Sequence, residues 1–332
     1  MRPEPNSKCH QTLPLLQPSG ERRNASDGAE SLGVHCEGPF LNPTKNGIHS
    51  ASVLRTAPNG FRDLEECYGA DNLLSPSPIR LITLAPELPG TLASIPTLTS
   101  RHIAVSIGHS EASYEEALAA LSAGATSITH LFNAMRPLHH RDPGIFGVLG
   151  GTPAPPRQQR KPFFGVIADG VHLHPTSVAI AWAAHPPGLV LVSDAMSQVG
   201  LPDGTYDWTN GERIRKRGPL LTLEGSDRIA GSCITLVECV ANFWNWTGVG
   251  VAQAIGAVTA TPARMLGLEG VKGSLEPGAD ADVVVLSDGE DGRGRKTLRV
   301  EQVWKFGERV FEAKRSEGRL AFSILSARGR FP

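Results

Sequence analysis

Six times between Ser31 and Met196 the chain passes through a short apolar run that ends on a polar or ionisable residue, with a helical or irregular segment before the next run. The runs are SLGVHCEGPF ending near Glu37, IRLITLAPE near Glu87, IAVSIGHS at His109, SITHLFN at His130, FFGVIADGVH at Asp169 and His172, and LVLVSDAM at Asp194. Strands alternating with helices in this way build a parallel sheet, and right-handed crossovers put every strand's carboxyl end on one edge of it. The stretch from His109 to Met135 shows the unit most fully. SYEEALAALSAGA carries a Ser113 to Glu116 capping box and then Ala117, Leu118 and Leu121 at helical spacing, between strands that end at His109 and His130. Two imidazoles about twenty residues apart in sequence are therefore expected side by side in space.

A TIM-like (β/α)8 barrel gathers such strand ends at one mouth, and it is the fold expected here. Six runs are two short of eight, so the expected barrel lacks its first two strands. An open doubly wound sheet is the structural alternative, but no glycine-rich nucleotide loop follows a first strand.

The remaining segments complete the expected organisation. Residues 1–30 are rich in Pro, Ser, Asn, Arg and Glu with LPLL as the one apolar cluster, and read as a disordered linker or remnant. Residues 31–272 are assigned to the barrel, with SDRIAGSCITLVECVANFWNW and TGVGVAQAIGAVTATPARMLGL as helices of its outer ring. The second of these should break near Thr261 and Pro262. Residues 273–313 hold β-like segments around the turn DGEDGRGRK and read as a partial β-sandwich, and 314–332 form a tail without an assigned role.

Composition narrows the partners. A net charge of -1 gives no basic field for nucleic acid, so a small molecule is the expected ligand. Five cysteines without a CxxC pair suit a reduced compartment. No signal peptide or apolar run of about 18 residues points to a membrane, and a cytoplasmic protein is expected.

Glu37, His109 and His130 make an N2O donor set at three strand ends, which suits a catalytic zinc with a fourth position left for water. Read alone, each could be an ordinary hydrogen-bonded strand-end residue. Asp194 is the expected general base and acid, against the alternative of a carboxylate capping the next turn. His172 is placed to polarise a substrate carbonyl, whereas His174, just before Pro175, should start a helix. The run His139, His140, Arg141 lies in a Pro-rich loop where Arg can hold an anion bidentately; a solvated charge run is the competing reading.

These motifs, GVHCEGPF with KNGIH, ITLAPE, SIGHS, THLFNAMRPLHHRDPG, GVIADGVH and LVSDAM, taken together resemble the N-acetylglucosamine-6-phosphate deacetylase family of the amidohydrolase superfamily, most closely its fungal-type members. The resemblance runs from about Ser31 to Glu312. It implies Glu37, His109 and His130 as ligands of a divalent metal, Asp194 as acid and base, and His172 at the amide carbonyl. It further implies sugar-phosphate contacts from His49, Asn133, Ala134 and Arg141, the last reaching into a neighbouring subunit's site and so implying a homodimer. The implied reaction is hydrolysis of N-acetyl-D-glucosamine 6-phosphate to D-glucosamine 6-phosphate and acetate.

Members of that family begin with β-sandwich strands and a PGxID-type first barrel strand, and neither is found before Ser31. The expectation is an N-terminally truncated, weakly active chain, with the number of metals left open because the absent strand could hold a second one. Other amidohydrolase chemistry, such as that of a dihydroorotase-like enzyme or an amino-acid deacetylase, and a binding or regulatory role for an inactive homologue are the alternatives.

Overall fold

The computed structural model describes residues 5–20, 24–150, 161–208, 211–314 and 322–323, and the chain divides into two compact units. One comprises residues up to 22 together with 30–165; the other comprises 23–29 together with everything from 166 onward.

The first unit is built on parallel strands β1 (Val34–Glu37), β2 (Ile79–Leu84), β3 (Ala104–Ile107), β4 (Ser127–Ile128) and the start of β5 (Phe163–Ile167), paired in chain order. Helices α2 (Phe61–Tyr68), α3 (Thr91–Ser100) and α4 (Tyr114–Ala123) occupy the connections. Helix α4 begins as its sequence requires: Ser113 Oγ accepts from the Glu116 amide, and Glu116 Oε2 accepts from the Ser113 amide at 2.8 Å. Burial of Ile82, Leu84, Val105, Ile107, Ile128 and Phe164 makes the strands nearly continuous apolar runs, as expected of a covered parallel sheet.

A polar layer interrupts that core. Thr129 Oγ1 lies 2.6 Å from both Thr83 Oγ1 and Ser106 Oγ, and His35 Nε2 lies 2.7 Å from Thr83 Oγ1. Gly108 makes room for this cluster, since a Cβ there would fall 2.8 Å from Thr129 Cβ and Thr83 Cγ2.

Residues read from composition as a linker carry helix α1 (Pro5–Thr12) and a 3-10 turn, Leu13–Leu16. The LPLL cluster supplies an anchor, with Leu13 buried, and His10 Nε2 donates to the Glu66 carbonyl at 3.2 Å.

In the second unit, β6 (Leu189–Val192) follows α6 (Pro175–Ala184), whose N-cap is His174: its Nδ1 accepts from the Thr176 amide at 3.2 Å, as its place before Pro175 predicts. An antiparallel sheet with order β10-β9-β8-β7 comprises β7 (Gly204–Asp207), β8 (Arg213–Arg217), β9 (Leu220–Leu223) and β10 (Ile229–Ser232), and was not anticipated. Its most charged strand alternates, burying Ile214 and Lys216 and exposing three arginines, and Lys216 Nζ donates to Asp203 Oδ1 at 3.2 Å.

The segment expected as one helix from Ser226 to Trp246 divides into β10 and α7 (Leu236–Thr247), because Thr235 starts a capping box with Glu238. The next expected helix divides into α8 (Val251–Gly256) and α9 (Ala260–Met265), so the break precedes Pro262 rather than centring on it. Proline there lies in the first turn, where its missing N–H costs little. A second antiparallel sheet contains β11 (Val283–Glu290), β12 (Lys296–Lys305), β13 (Glu308–Glu312) and β14 (Phe322–Ser323). Beyond β14's two residues, the tail lies outside the described residues from 315 on. Asp282 ties this sheet's turn to the preceding loop, accepting from Lys272 Nζ at 2.7 Å, Lys305 Nζ at 2.6 Å and the Phe306 amide at 3.0 Å.

Candidate metal centre and active site

Parallel register brings three strand ends level. Glu37 pairs with Thr83, Thr83 with Ser106 and Ser106 with Ser127, so His109 and His130 emerge from the strand ends together, opposite Glu37. Glu37 Oε1 lies 3.1 Å from His109 Nε2 and 2.9 Å from His130 Nε2, and the two histidine nitrogens are 3.1 Å apart.

One hydrogen bond fixes what this cluster offers. Nδ1 of His109 lies 2.6 Å from the carbonyl oxygen of Lys45, which can only accept, so the ring proton sits on Nδ1 and Nε2 presents a lone pair. Ligand atoms about 2.0–2.1 Å from a tetrahedral zinc lie about 3.3 Å from one another, close to the spacing found here. An N2O donor set with these separations fits a divalent cation. Burial alone would push the Glu37 carboxyl up, but the imidazoles of His109, His130 and His49 gathered around it outweigh that and hold the group well below the usual carboxylate range.

His49 belongs to the same cluster. Its Nε2 is 3.8 Å from Glu37 Oε2, and its ring meets that of His109 edge-on with centroids 4.9 Å apart. The loops are braced by Glu87, a strand-end residue to which sequence reasoning gave no task. Its carboxylate accepts from Asn42 Nδ2 at 3.0 Å, Ser110 Oγ at 2.7 Å and the Glu111 amide at 2.7 Å, tying the loop after β1 to the residues just past His109.

The loop after His130 holds the other expected contacts. Asn133 turns its amide toward the carbonyls of His130 and Leu131, at 3.2 and 3.3 Å, and the Ala134 carbonyl accepts from the Ser110 amide at 3.1 Å. Arg141 is exposed, with Nη1 2.9 Å from His140 Nε2, while Arg136 rather than Arg141 pairs with Asp142, at 2.7 Å.

His172 and Asp194 belong to the second unit. Asp169 Oδ2 lies 2.7 Å from His172 Nδ1, and Asp169 Oδ1 accepts from the Val171 and His172 amides at 2.9 and 2.8 Å. Asp194 is exposed just past β6, next to Ala195, which bridges Ser232 of β10.

His109 (φ 48°), His130 (φ 27°), Ala134 (φ 49°) and Asp194 (φ 46°) all have left-handed backbone. That conformation is uncommon outside glycine and concentrates at functional sites. Sequence reasoning missed the Lys45 carbonyl and Asp169, the first because a backbone group leaves no trace in residue type. Asp169 did leave a trace, as the polar end of the fifth run.

Comparison with known proteins bears on the same residues. Residues 23–310 match the model of the amidohydrolase family. The human N-acetylglucosamine-6-phosphate deacetylase is 43% identical over 311 residues, covering 93% of this chain and 71% of the human one. The zebrafish (Danio rerio) protein of the same name is 42% identical over 298 residues, covering 89% and 70%. Among solved structures, a mutant N-acetyl-D-glucosamine-6-phosphate deacetylase from Mycobacterium smegmatis, in complex with N-acetyl-D-glucosamine-6-phosphate, superposes with TM-score 0.72 at 29% identity, covering 92% of this chain and 74% of that one. The Thermotoga maritima N-acetylglucosamine-6-phosphate deacetylase gives TM-score 0.69 at 30% identity, covering 87% and 72%. With strand ends that bring Glu37, His109 and His130 together and a match extending over most of its length, the chain belongs to the amidohydrolase family, in the branch of its N-acetylglucosamine-6-phosphate deacetylases.

Proposed function

We propose that this chain hydrolyses N-acetyl-D-glucosamine 6-phosphate to D-glucosamine 6-phosphate and acetate, using a zinc ion held by Glu37, His109 and His130. The observation that carries the proposal is the convergence of three donor atoms within 3.1 Å, one of them on a ring whose other nitrogen is committed to a backbone carbonyl. A divalent ion bound there supplies Lewis acidity and a water nucleophile at neutral pH.

The protein's own groups do the rest. Asp194, exposed and without a hydrogen-bond partner among the described residues, takes the proton of the attacking water and returns it to the leaving amine nitrogen. His49, 3.8 Å from Glu37, takes the amide carbonyl in this reading and not the phosphate, which sits at the opposite end of the hexose. Exposed Arg141 matches a phosphate bidentately, and the family resemblance assigns that phosphate to the site of a second copy of the chain, in a homodimer. Asn133 and Ala134 shape the sugar-facing loop, and His172 contacts the sugar. No helix among the described residues is long and apolar enough to cross a membrane.

Acetate release from N-acetyl-D-glucosamine 6-phosphate, from its galacto epimer and from unphosphorylated N-acetylglucosamine tests the proposal. Preferred turnover of the first is expected; equal or zero turnover of all three would sink it.

A further inference from the structure

The sequence motif DGVH brings two ionisable residues together without indicating which serves the other. Asp169 has a side chain with no solvent exposure, whereas His172 is 14% exposed. Both carboxylate oxygens are used: Oδ1 takes the amides of Val171 and His172, and Oδ2 takes His172 Nδ1 at 2.7 Å. Gly170 (φ 74°) lets the chain turn tightly enough for one oxygen to reach two successive amides. Helix α7 braces the arrangement, with Asn242 Nδ2 donating to the Ala168 carbonyl at 2.9 Å and the Trp246 ring packed over Gly170. Those two amides require the carboxylate as an acceptor, so the group facing Nδ1 accepts as well.

We propose that Asp169 is a positioning residue that holds His172 as the Nδ1–H tautomer, so that the imidazole presents its Nε2 lone pair to a hydroxyl of the sugar. Nε2 has no hydrogen-bond partner among the described residues. An amide carbonyl only accepts, and a neutral ring whose proton is committed to Asp169 has no second N–H with which to polarise one. A hydroxyl donates, and it is the group on an amino sugar that such a nitrogen can read. This assignment differs from the expectation that His172 orients the carbonyl, and it rests on the reading of the chain as an amino-sugar phosphate deacetylase.

Asp169→Asn tests it, because the amide keeps Oδ1 for the two backbone N–H groups but turns a donor toward His172. Nitrogen-15 spectra of the zinc-loaded full chain, with the His172 signals identified by their loss in His172→Gln, should show a protonated Nδ1 and a bare Nε2. The pattern should reverse in Asp169→Asn. With N-acetyl-D-glucosamine 6-phosphate, Asp169→Asn should raise KM about tenfold or more, with kcat changed less than about threefold and zinc content unchanged. Two protonated nitrogens in the wild type, an unreversed tautomer in the variant, or an unchanged KM would each overturn the proposal. The spectra report on the dyad whatever the substrate is, so a wild-type chain that releases no acetate would count against the deacetylase reading and leave this measurement standing.

Discussion

Nδ1 of His109 donates to the carbonyl oxygen of Lys45 across 2.6 Å, so the loop after β1 determines which nitrogen of a β3 residue faces Glu37. The proposed ligand nitrogen is thus oriented by backbone. His109→Ala and His130→Ala should each lose the metal, with zinc falling from about one per chain to below about a tenth by elemental analysis. Undiminished zinc in either variant would reject the assigned donor set.

Asp194 stands outside the donor set, and proton transfer is the task proposed for it. Asp194→Asn should lower kcat by about two to four orders of magnitude while leaving bound zinc as in the wild type. Single-turnover measurements on zinc-loaded protein check this, and a near-normal rate would remove Asp194 from the reaction.

Arg141 has no acidic partner among the described residues, and Arg136 occupies Asp142. Arg141→Gln should therefore raise KM for the phosphorylated sugar far more than for the free sugar. Mixing Arg141→Gln with Asp194→Asn chains should restore part of the activity if the arginine serves a partner's site. Equal losses on both sugars would make the residue structural.

Acid stability should depend on Asp282. Burial raises its carboxyl, but hydrogen bonds from Lys272, Lys305 and the Phe306 amide outweigh this and hold it below the ordinary value of about 3.9. A depressed folded pKa contributes stability that is present above about pH 4 and is lost as pH falls through the folded value. The gap in Tm between wild type and Asp282→Asn should therefore be widest near pH 6 and narrow toward pH 3. A gap that stays constant over that range would show that the carboxylate's charge contributes nothing.

Much of the first unit was legible because strand ends carry chemistry in a parallel sheet, and that rule alone located Glu37, His109 and His130. His174 and the Ser113–Glu116 box were legible because capping is local. The sheet of β7 to β10 was not, since RIRKR presents charge at every exposed position and buries Lys216 in a pair with Asp203, 13 residues before it, which no local pattern announces. His49 joins the Glu37 cluster for a similarly non-local reason: its contact with Glu37 at 3.8 Å is made by a loop, whose path sequence periodicity does not specify.

The left-handed backbone at Asp194 has a consequence for how such a chain would change if its activity were no longer selected. An aspartate at φ 46° costs about 1 kcal/mol that glycine would recover, and its exposed carboxylate makes no hydrogen bond among the described residues. Mutational drift toward glycine there would cost the fold nothing and would make it slightly firmer. A lineage could thus lose its reaction through a change that folding favours. On the proposed reading, the aspartate at this position serves chemistry and not architecture.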